Sequence, residues 1–332
     1  ERASVVAYRL SFQNAGILIG VVLGLGLFLS GPTGMLERAN YTPFGWTCAL
    51  VMFVAGMIAI RAVASVQPRL HEPEVSHEPM GLGFIREMKE MSRNRSFMLL
   101  FATVLLYFLA YSTHTNLALH ASRYFWGLDT TAIQLILLSA CLGPVIGAPL
   151  SGFALRFIEK RTLSLFAYFA IALLLFWPPL FQIFGPVRLT PETASVVLLV
   201  NGLLLGTAIM AGGVGFQSMM ADTADEHEYL FGVRREGLFF SGLTLAYKAA
   251  SGVGGLIAGV ALDAIHFPGD LASRGPDVVI PAEVLNKLAL ASGPLPGLIA
   301  FAAPLFLFGY RLTRKRHAGI IVALEARKAG QA

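Results

Sequence analysis

Long uncharged stretches recur along the whole sequence, and they constrain its fold more than any other feature. A helix of about 20 apolar residues crosses the hydrocarbon layer of a bilayer. Only 14% of the residues are charged and 55% are hydrophobic, with a mean hydropathy of +0.66. Soluble domains carry roughly 25% charged residues. The sequence therefore predicts an all-α polytopic membrane protein, and it excludes a transmembrane barrel because barrels show short alternating segments.

Eight membrane-spanning helices are predicted from these stretches. They cover residues 10–30, 43–60, 96–119, 130–155, 162–184, 193–221, 237–262 and 291–310. A long polar segment separates the second helix from the third. This spacing is typical of a twelve-helix transporter built from two bundles, of which the chain would hold eight helices as an N-terminally truncated piece. We expect 1–66 to be the last two helices of the N-terminal bundle, 67–95 a cytoplasmic linker, 96–312 the C-terminal six-helix bundle, and 313–332 a cytoplasmic tail.

The basic residues predict the orientation. Of the 25 Lys and Arg residues, 19 fall in the segments that would lie on one side of the membrane, including both ends of the chain. By the positive-inside rule we expect both termini in the cytoplasm and the protein in the plasma (inner) membrane, passing it several times. The net charge of +5 belongs to these loops, so no nucleic-acid partner is expected. Cys48 and Cys141 lie in apolar stretches and predict no disulfide framework.

One lysine stands inside an apolar stretch. Lys248 is flanked by LFFSGLTLAY and AASGVGGLIAG. A cation at the centre of a membrane helix costs ~2.5–3.5 kcal/mol on insertion scales, and such residues are functional by default. We therefore treat Lys248 as the first candidate site residue.

A charge-dense segment precedes this helix. Asp222, Asp225 and Glu228 fall at the end of one predicted span, whereas Arg234 and Glu236 stand at the start of the next. Opposite charges at two neighbouring helix ends can form an ion-pair network that opens in another state of the protein. The alternative is a solvated loop whose charges only keep it in water.

The order of these residues resembles a known family. The glycoside–pentoside–hexuronide:cation symporters (melibiose-permease-like), of the major facilitator superfamily, have a similar motif. Nine positions over 27 residues fit it: Asp222, Asp225, Glu228, Tyr229, Gly232, Arg234, Glu236, Gly237 and Lys248. The first 16 residues also resemble the start of the family's fifth helix, so the resemblance places this chain at helices five to twelve.

The resemblance implies a function for the chain. Members of the family couple uptake of a sugar to Na⁺, Li⁺ or H⁺ by alternating access. The resemblance implies no other cofactor. Their cation-binding carboxylates lie on helices two and four, and none of the predicted spans here contains an Asp or Glu, so no metal site is named in this chain. Lys248 matches a lysine associated with coupling, and Arg9 matches an arginine associated with the sugar site. The alternative for Arg9 is an anchor at the membrane interface.

Further polar residues lie within the predicted helices. His114 and Asn116 belong to the stretch YSTHTN, where they could bind a polyol or form interhelical hydrogen bonds. Ser251, Gly255 and Gly259 form a small-residue stripe, which is typical of close helix packing.

Two other functions were considered. Family members have an aromatic sugar-pocket residue where this chain has Gly213, so a transporter of lysolipids or other amphiphiles is an alternative to a sugar transporter. A membrane enzyme or receptor is a remote alternative, because motifs such as H-E-x-x-H and G-x-S-x-G are missing from the sequence. The sequence predicts a monomeric transporter in the lipid bilayer, with no catalytic residues.

Overall fold

The computed structural model describes residues 2–30, 37–66, 89–232, 236–269 and 280–329, and these are helical apart from short connections. The main helices are α1 (Arg2–Leu23), α2 (Arg38–Val66), α3 (Arg95–His120), α4 (Thr130–Ala154), α5 (Lys160–Phe184), α6 (Pro191–Phe231), α7 (Glu236–Ala264), α8 (Ala282–Ser292), α9 (Pro294–Ala302) and α10 (Arg314–Ala329). A π-helical turn extends α1 to Phe28 and α3 to Phe125, and a 3₁₀ turn extends α9 to Gly309.

Seven helical segments of the described chain are long and apolar enough to cross a membrane. They are α2 to α7 and the pair α8–α9, and they coincide with the second to eighth predicted spans. The prediction of an all-α polytopic protein is confirmed. The first predicted span lies in α1 and its π turn, where the apolar part, Ala15–Phe28, is shorter than the others. Residues 67–88 of the predicted linker lie outside the described residues.

The contacts divide the chain into two compact units. The first contains α1, α2 and Asp129–Gln134, at the start of α4. Within it, the rings of Phe28 and Phe44 lie 5.8 Å apart, and Gln134 Nε2 donates a hydrogen bond to the carbonyl of Leu29 over 2.7 Å. None of the described side chains of α2 is buried. The second unit contains α3, the rest of α4, and α5 to α10.

In the second unit α3 and α7 pack closely along a stripe of small residues. The buried positions of α7 are Gly242, Ala246, Ala250, Gly254 and Ala258, each four residues after the last. A Cβ on Gly254 would lie 2.6 Å from the Cβ of Ser112, so only glycine fits there. The expected stripe of Ser251, Gly255 and Gly259 is wrong by one position. Side chains one residue apart on a helix point about 100° apart, so that stripe lies beside the buried one, at the margin of the contact with α3: Ser251 and Gly259 are exposed and Gly255 is half-buried.

Helix α6 is longer than predicted. Thr190 caps its start by accepting a hydrogen bond from the Thr193 N–H, and Pro191 takes the first helical position. The predicted span ends at Ala221, whereas the helix continues to Phe231 and ends at Gly232, whose φ of 77° is the left-handed conformation that glycine adopts readily. At 41 residues, α6 is about 60 Å long, roughly twice the hydrocarbon thickness. The acidic residues were mistaken for the end of the helix, but they mark only the end of its apolar part.

The tail after residue 312 is also ordered. Ile320 and Leu324 of α10 are buried and join the same core cluster as Phe97 of α3 and Phe239 of α7. They lie one helical turn apart and so form an apolar stripe. The tail is therefore an amphipathic helix docked on the end of the bundle, which places its basic residues beside the end of α6.

Candidate functional site

The end of α6 carries a row of polar side chains on one face. Successive helical residues turn by about 100°, so Asp222, Asp225, Glu226 and Tyr229 project on the same side. The three acidic residues expose only 8%, 9% and 4% of their surface. Burying a carboxylate is costly unless it is paired and hydrogen-bonded. These residues therefore require cationic partners from other elements.

Lys160 and His317 contact two of these carboxylates. Lys160, the first residue of α5, donates to both carboxylate oxygens of Asp222, over 2.9 and 2.7 Å. His317 of α10 places its Nε2 3.0 Å from Asp225 Oδ2 and 3.7 Å from Asp222 Oδ1. Asp222 is thus held from two sides, and the imidazole bridges the two aspartates.

Helix α10 makes two further contacts with the same face. The guanidinium of Arg316 lies 3.2 Å from Glu226 Oε1. Arg327 donates to the carbonyl of Tyr229 over 2.9 Å, and its guanidinium lies 4.8 Å from the centroid of the tyrosine ring. We call the following set the α6 charge cluster: Asp222, Asp225, Glu226, Lys160, Arg316 and His317.

The carboxylates of the cluster lie in an unfavourable electrostatic field, that of the α6 helix dipole. Carboxylates near the C-terminus of a helix are repelled by the partial negative charge of the helix dipole. Lys160 of α5 and Arg316 of α10 offset this repulsion by pairing with Asp222 and Glu226. The arrangement therefore holds the ends of α5, α6 and α10 together for as long as the charges stay paired.

Tyr310 closes the cluster on its apolar side. Its hydroxyl donates to the carbonyl of Met219 over 3.2 Å and lies 3.3 Å from Thr223 Oγ1. Burial raises the pKa of Tyr310, and the negative charges of Asp222 and Glu226 raise it further. The hydroxyl thus stays protonated and remains a donor at neutral pH.

Two members of this cluster were predicted as site residues. Asp222 and Asp225 lie in it, and Glu228 is buried nearby on α6. Arg234 lies outside the described residues, and Glu236 begins α7 with a side chain that is not described. Three members of the cluster were not predicted as site residues: Lys160, Arg316 and His317. Charge complementarity could have indicated them, because the basic stretch RLTRKRH follows the last span and is opposite in charge to the acidic end of α6.

Lys248 lies on an exposed face of α7. Its Nζ is 5.7 Å from the ring centroid of Tyr247, and no carboxylate of the described chain forms an ion pair with it. Tyr247 packs edge-on against Phe108 of α3, with ring centroids 5.0 Å apart. A cation, an exposed phenol and the polar edge of α3 therefore border one surface.

Asn116 belongs to that surface. Its side chain is exposed, and its Nδ2 donates to the carbonyl of Ser112 over 2.8 Å. Ser112 in turn donates to the carbonyl of Ser251, three residues after Lys248. The two candidate residues thus flank a hydrogen-bonded contact between α3 and α7. We call Asn116, Tyr247, Lys248 and Ser251 the α3–α7 polar face.

His114 has a structural partner. Its Nδ1 lies 2.7 Å from the carbonyl oxygen of Ser292, the last residue of α8. In a continuous helix this carbonyl would accept from the N–H of residue 296, which is a proline and has none. His114 therefore satisfies the carbonyl that the break between α8 and α9 leaves without a helical donor. Its proposed contact with substrate stays a prediction.

Arg9 lies on α1, in the other unit, and its side chain is outside the described residues. Its proposed role at the sugar site stays a prediction. In the part of the chain that the structure describes, three or more His, Cys, Asp or Glu residues nowhere form a group that could hold a metal ion.

Known proteins similar to this chain are transporters. The chain is 24% identical over 315 residues to a glucuronide carrier protein homolog of Escherichia coli, covering 94% of the chain and 63% of that relative. It is 23% identical over 268 residues to an isoprimeverose transporter of Lactiplantibacillus pentosus, covering 80% and 52%. It is 30% identical over 132 residues to an uncharacterized symporter of Synechocystis, covering 38% and 24%.

The chain spans less than two thirds of the length of these relatives. The model of a family described as MFS/sugar transport protein matches residues 1–314, which is nearly the whole chain. Because the matched family consists of transport proteins, the match supports the prediction of a transporter rather than an enzyme. This multi-pass membrane protein belongs to the MFS/sugar transport protein family.

Proposed function

We propose that the intact protein is a secondary active transporter that carries a sugar together with a cation, Na⁺, Li⁺ or H⁺, by alternating access. The present chain then corresponds to helices five to twelve, that is, eight of twelve membrane-spanning helices. The family and the sugar-type cargoes in the names of two relatives support a sugar substrate. The register of the nine-residue motif supports the helix numbering.

The observation that carries this proposal is the exposure of Lys248. A lysine in the middle of an apolar helix is costly unless it faces a partner or a water-filled cavity. Lys248 faces neither the core nor a carboxylate of the described chain. In a transporter of two bundles, the surface between the bundles near mid-membrane binds substrate and coupling ion. The α3–α7 polar face has the donors and the aromatic ring that a sugar requires.

The α6 charge cluster has a different role in this mechanism. It lies at the C-terminal end of α6, beyond the apolar part of that helix and toward water.

 Asp222 comes 31 residues after Pro191, which puts the cluster about 45 Å from the start of α6 and beyond the hydrocarbon layer. We assign the cluster to closing the cytoplasmic side, with Glu228, Glu236 of α7, and Arg234, which lies outside the described residues, as additional members. Its ion pairs would be made in one state and opened in the other.

The proposal includes a topology. By the positive-inside rule, the basic residues support a cytoplasmic location for both termini of this chain. We also propose that the protein is a monomer in the plasma (inner) membrane. We assign Arg9, His114 and Asn116 to substrate binding or coupling, with Lys248 at the centre of the site. The coupling cation would be bound by carboxylates that the spans of this chain do not contain.

A transport assay on the full-length protein tests the role of Lys248. We expect Lys248→Ala to reduce cation-dependent sugar uptake by at least about tenfold, because the central charge is lost, while the protein stays in the membrane. Lys287→Ala is the matched control: Lys287 is exposed, and among the described residues its ion pair is with Glu283 on the same helix, over 2.6 Å. Normal uptake by Lys248→Ala, or an equal loss in Lys287→Ala, would refute the assigned role.

A lysolipid or another amphiphile is the second candidate substrate. Gly213 on α6 has no neighbouring heavy atom within 4 Å of the position a Cβ would take, so this site offers space and no aromatic face. An apolar chain needs such space, whereas a sugar ring usually stacks on an aromatic side chain. Uptake of labelled lysolipid, and not of sugars, by the full-length protein would favour this candidate.

A further inference from the structure

Two basic segments meet at one end of the second unit. Arg314, at the start of α10, donates hydrogen bonds to the carbonyls of Leu155 and Ile158, in the turn between α4 and α5. Arg161 donates to the carbonyl of Phe308 over 3.0 Å. These bonds hold the two segments together, and we call residues 155–161 with 308–316 the basic junction.

Three cations of the basic junction have no carboxylate partner in the described chain. Arg156, Arg311 and Lys315 are exposed, and none of them forms an ion pair among the described residues. Their neighbours differ in this respect. Lys160 is neutralised by Asp222, and Arg316 by Glu226. The surface of the basic junction therefore carries an unbalanced positive charge.

Exposed aromatic residues border these cations. Phe157 and Phe153 expose 73% and 60% of their surface, and their ring centroids lie 5.2 Å apart. Phe308 is 56% exposed. They stand where α4 and the α8–α9 pair end, which is the level at which membrane-crossing segments leave the hydrocarbon. At that level an exposed phenylalanine lies against the acyl chains, and neighbouring cations reach the headgroups.

We propose that the basic junction binds the headgroup of an anionic phospholipid in the adjoining leaflet. Arg156, Arg311 and Lys315 contact the phosphate-bearing headgroup, and Phe153 and Phe157 lie against its acyl chains. Basic clusters directly after a membrane-spanning helix attract anionic lipids electrostatically. Charge complementarity favours this occupant over zwitterionic lipid, and the position at the end of the spans favours lipid over a soluble anion.

Native mass spectrometry of the full-length protein tests the proposal. The protein is purified in detergent containing equal amounts of phosphatidylglycerol and phosphatidylcholine, and the bound lipids are counted. We expect wild type to retain phosphatidylglycerol preferentially. Combining Arg156→Gln, Arg311→Gln and Lys315→Gln should lower the ratio of bound phosphatidylglycerol to phosphatidylcholine roughly tenfold. The matched control is Arg188→Gln, an exposed cation at the other end of α5, which should leave the ratio unchanged.

Several outcomes would overturn the proposal. These are an unchanged ratio in the triple variant, an equal fall in Arg188→Gln, or displacement of the lipid by millimolar glycerol phosphate, which would indicate a site for soluble anions. If the triple variant does not fold, a salt series on wild type decides. The preference for phosphatidylglycerol should fall as ionic strength rises, because salt screens exposed charges. A preference that salt does not change would contradict the proposal.

Discussion

Polar side chains inside the spans of the second unit bond backbone carbonyls of neighbouring helices. Ser112 donates to Ser251, Asn201 donates to Leu174, and His114 bonds Ser292. Such interhelical bonds are worth on average about 0.6 kcal/mol each in membrane proteins. His114 differs from the other two because its acceptor has lost its helical donor to Pro296. A buried carbonyl without any donor costs about 1–3 kcal/mol.

This difference predicts how substitutions of His114 behave. His114→Leu removes the donor, so we expect the free energy of unfolding to fall by about 1–3 kcal/mol, measured from thermal unfolding of the full-length protein in detergent. His114→Asn is the matched variant, because its amide nitrogen lies close to the position of Nδ1, and it should recover most of the loss. Equal stability of the leucine variant and wild type would contradict the structural role. Lost uptake in a stable His114→Asn variant would favour the substrate role.

At the scale of elements, α10 packs against the bundle and contacts the end of α6 through charged side chains. Its apolar stripe enters the core, while Arg316 and His317 reach the carboxylates of α6. Replacing both with alanine should leave buried carboxylates without these partners, so that α10 detaches more often. We expect faster hydrogen–deuterium exchange in α10 and in residues 222–231 of the full-length protein. Glu325→Gln, an exposed charge on the same helix, should leave exchange unchanged. Unchanged protection in the double variant would show that the apolar stripe alone holds α10.

Sequence predictability also differs between elements. Most ends of the seven spans were located within about six residues, because a long apolar run is compatible only with a membrane helix. The exceptions are the end of α6 and the start of α8. The end of α6 was wrong because a helix leaving the bilayer continues wherever its polar residues find partners. Those partners come from α5 and α10, which are distant in sequence. The packing stripe of α7 was wrong by one position because several small residues are adjacent there, and only contact with Ser112 selects Gly254.

At the scale of the whole molecule, charge is distributed unevenly between the ends of the spans. The basic junction and the α6 charge cluster lie at the start of α5, whereas Arg188 lies beyond its other end. The positive-inside rule assigns the more basic end to the cytoplasm. Arg156 and Arg188 are both exposed, so a cysteine at either position can be reached by a water-soluble reagent from the side it faces.

Cysteine labelling in intact cells therefore tests the orientation of the protein. The full-length protein is first freed of Cys48 and Cys141, and Arg156→Cys and Arg188→Cys are introduced separately. We expect a membrane-impermeant maleimide to label the Arg188→Cys variant in intact cells, and the Arg156→Cys variant only after the cells are permeabilised. Labelling of both variants in permeabilised cells controls for reactivity. The reverse pattern in intact cells would place the α6 charge cluster outside the cell, where it could not close the cytoplasmic side of the transporter.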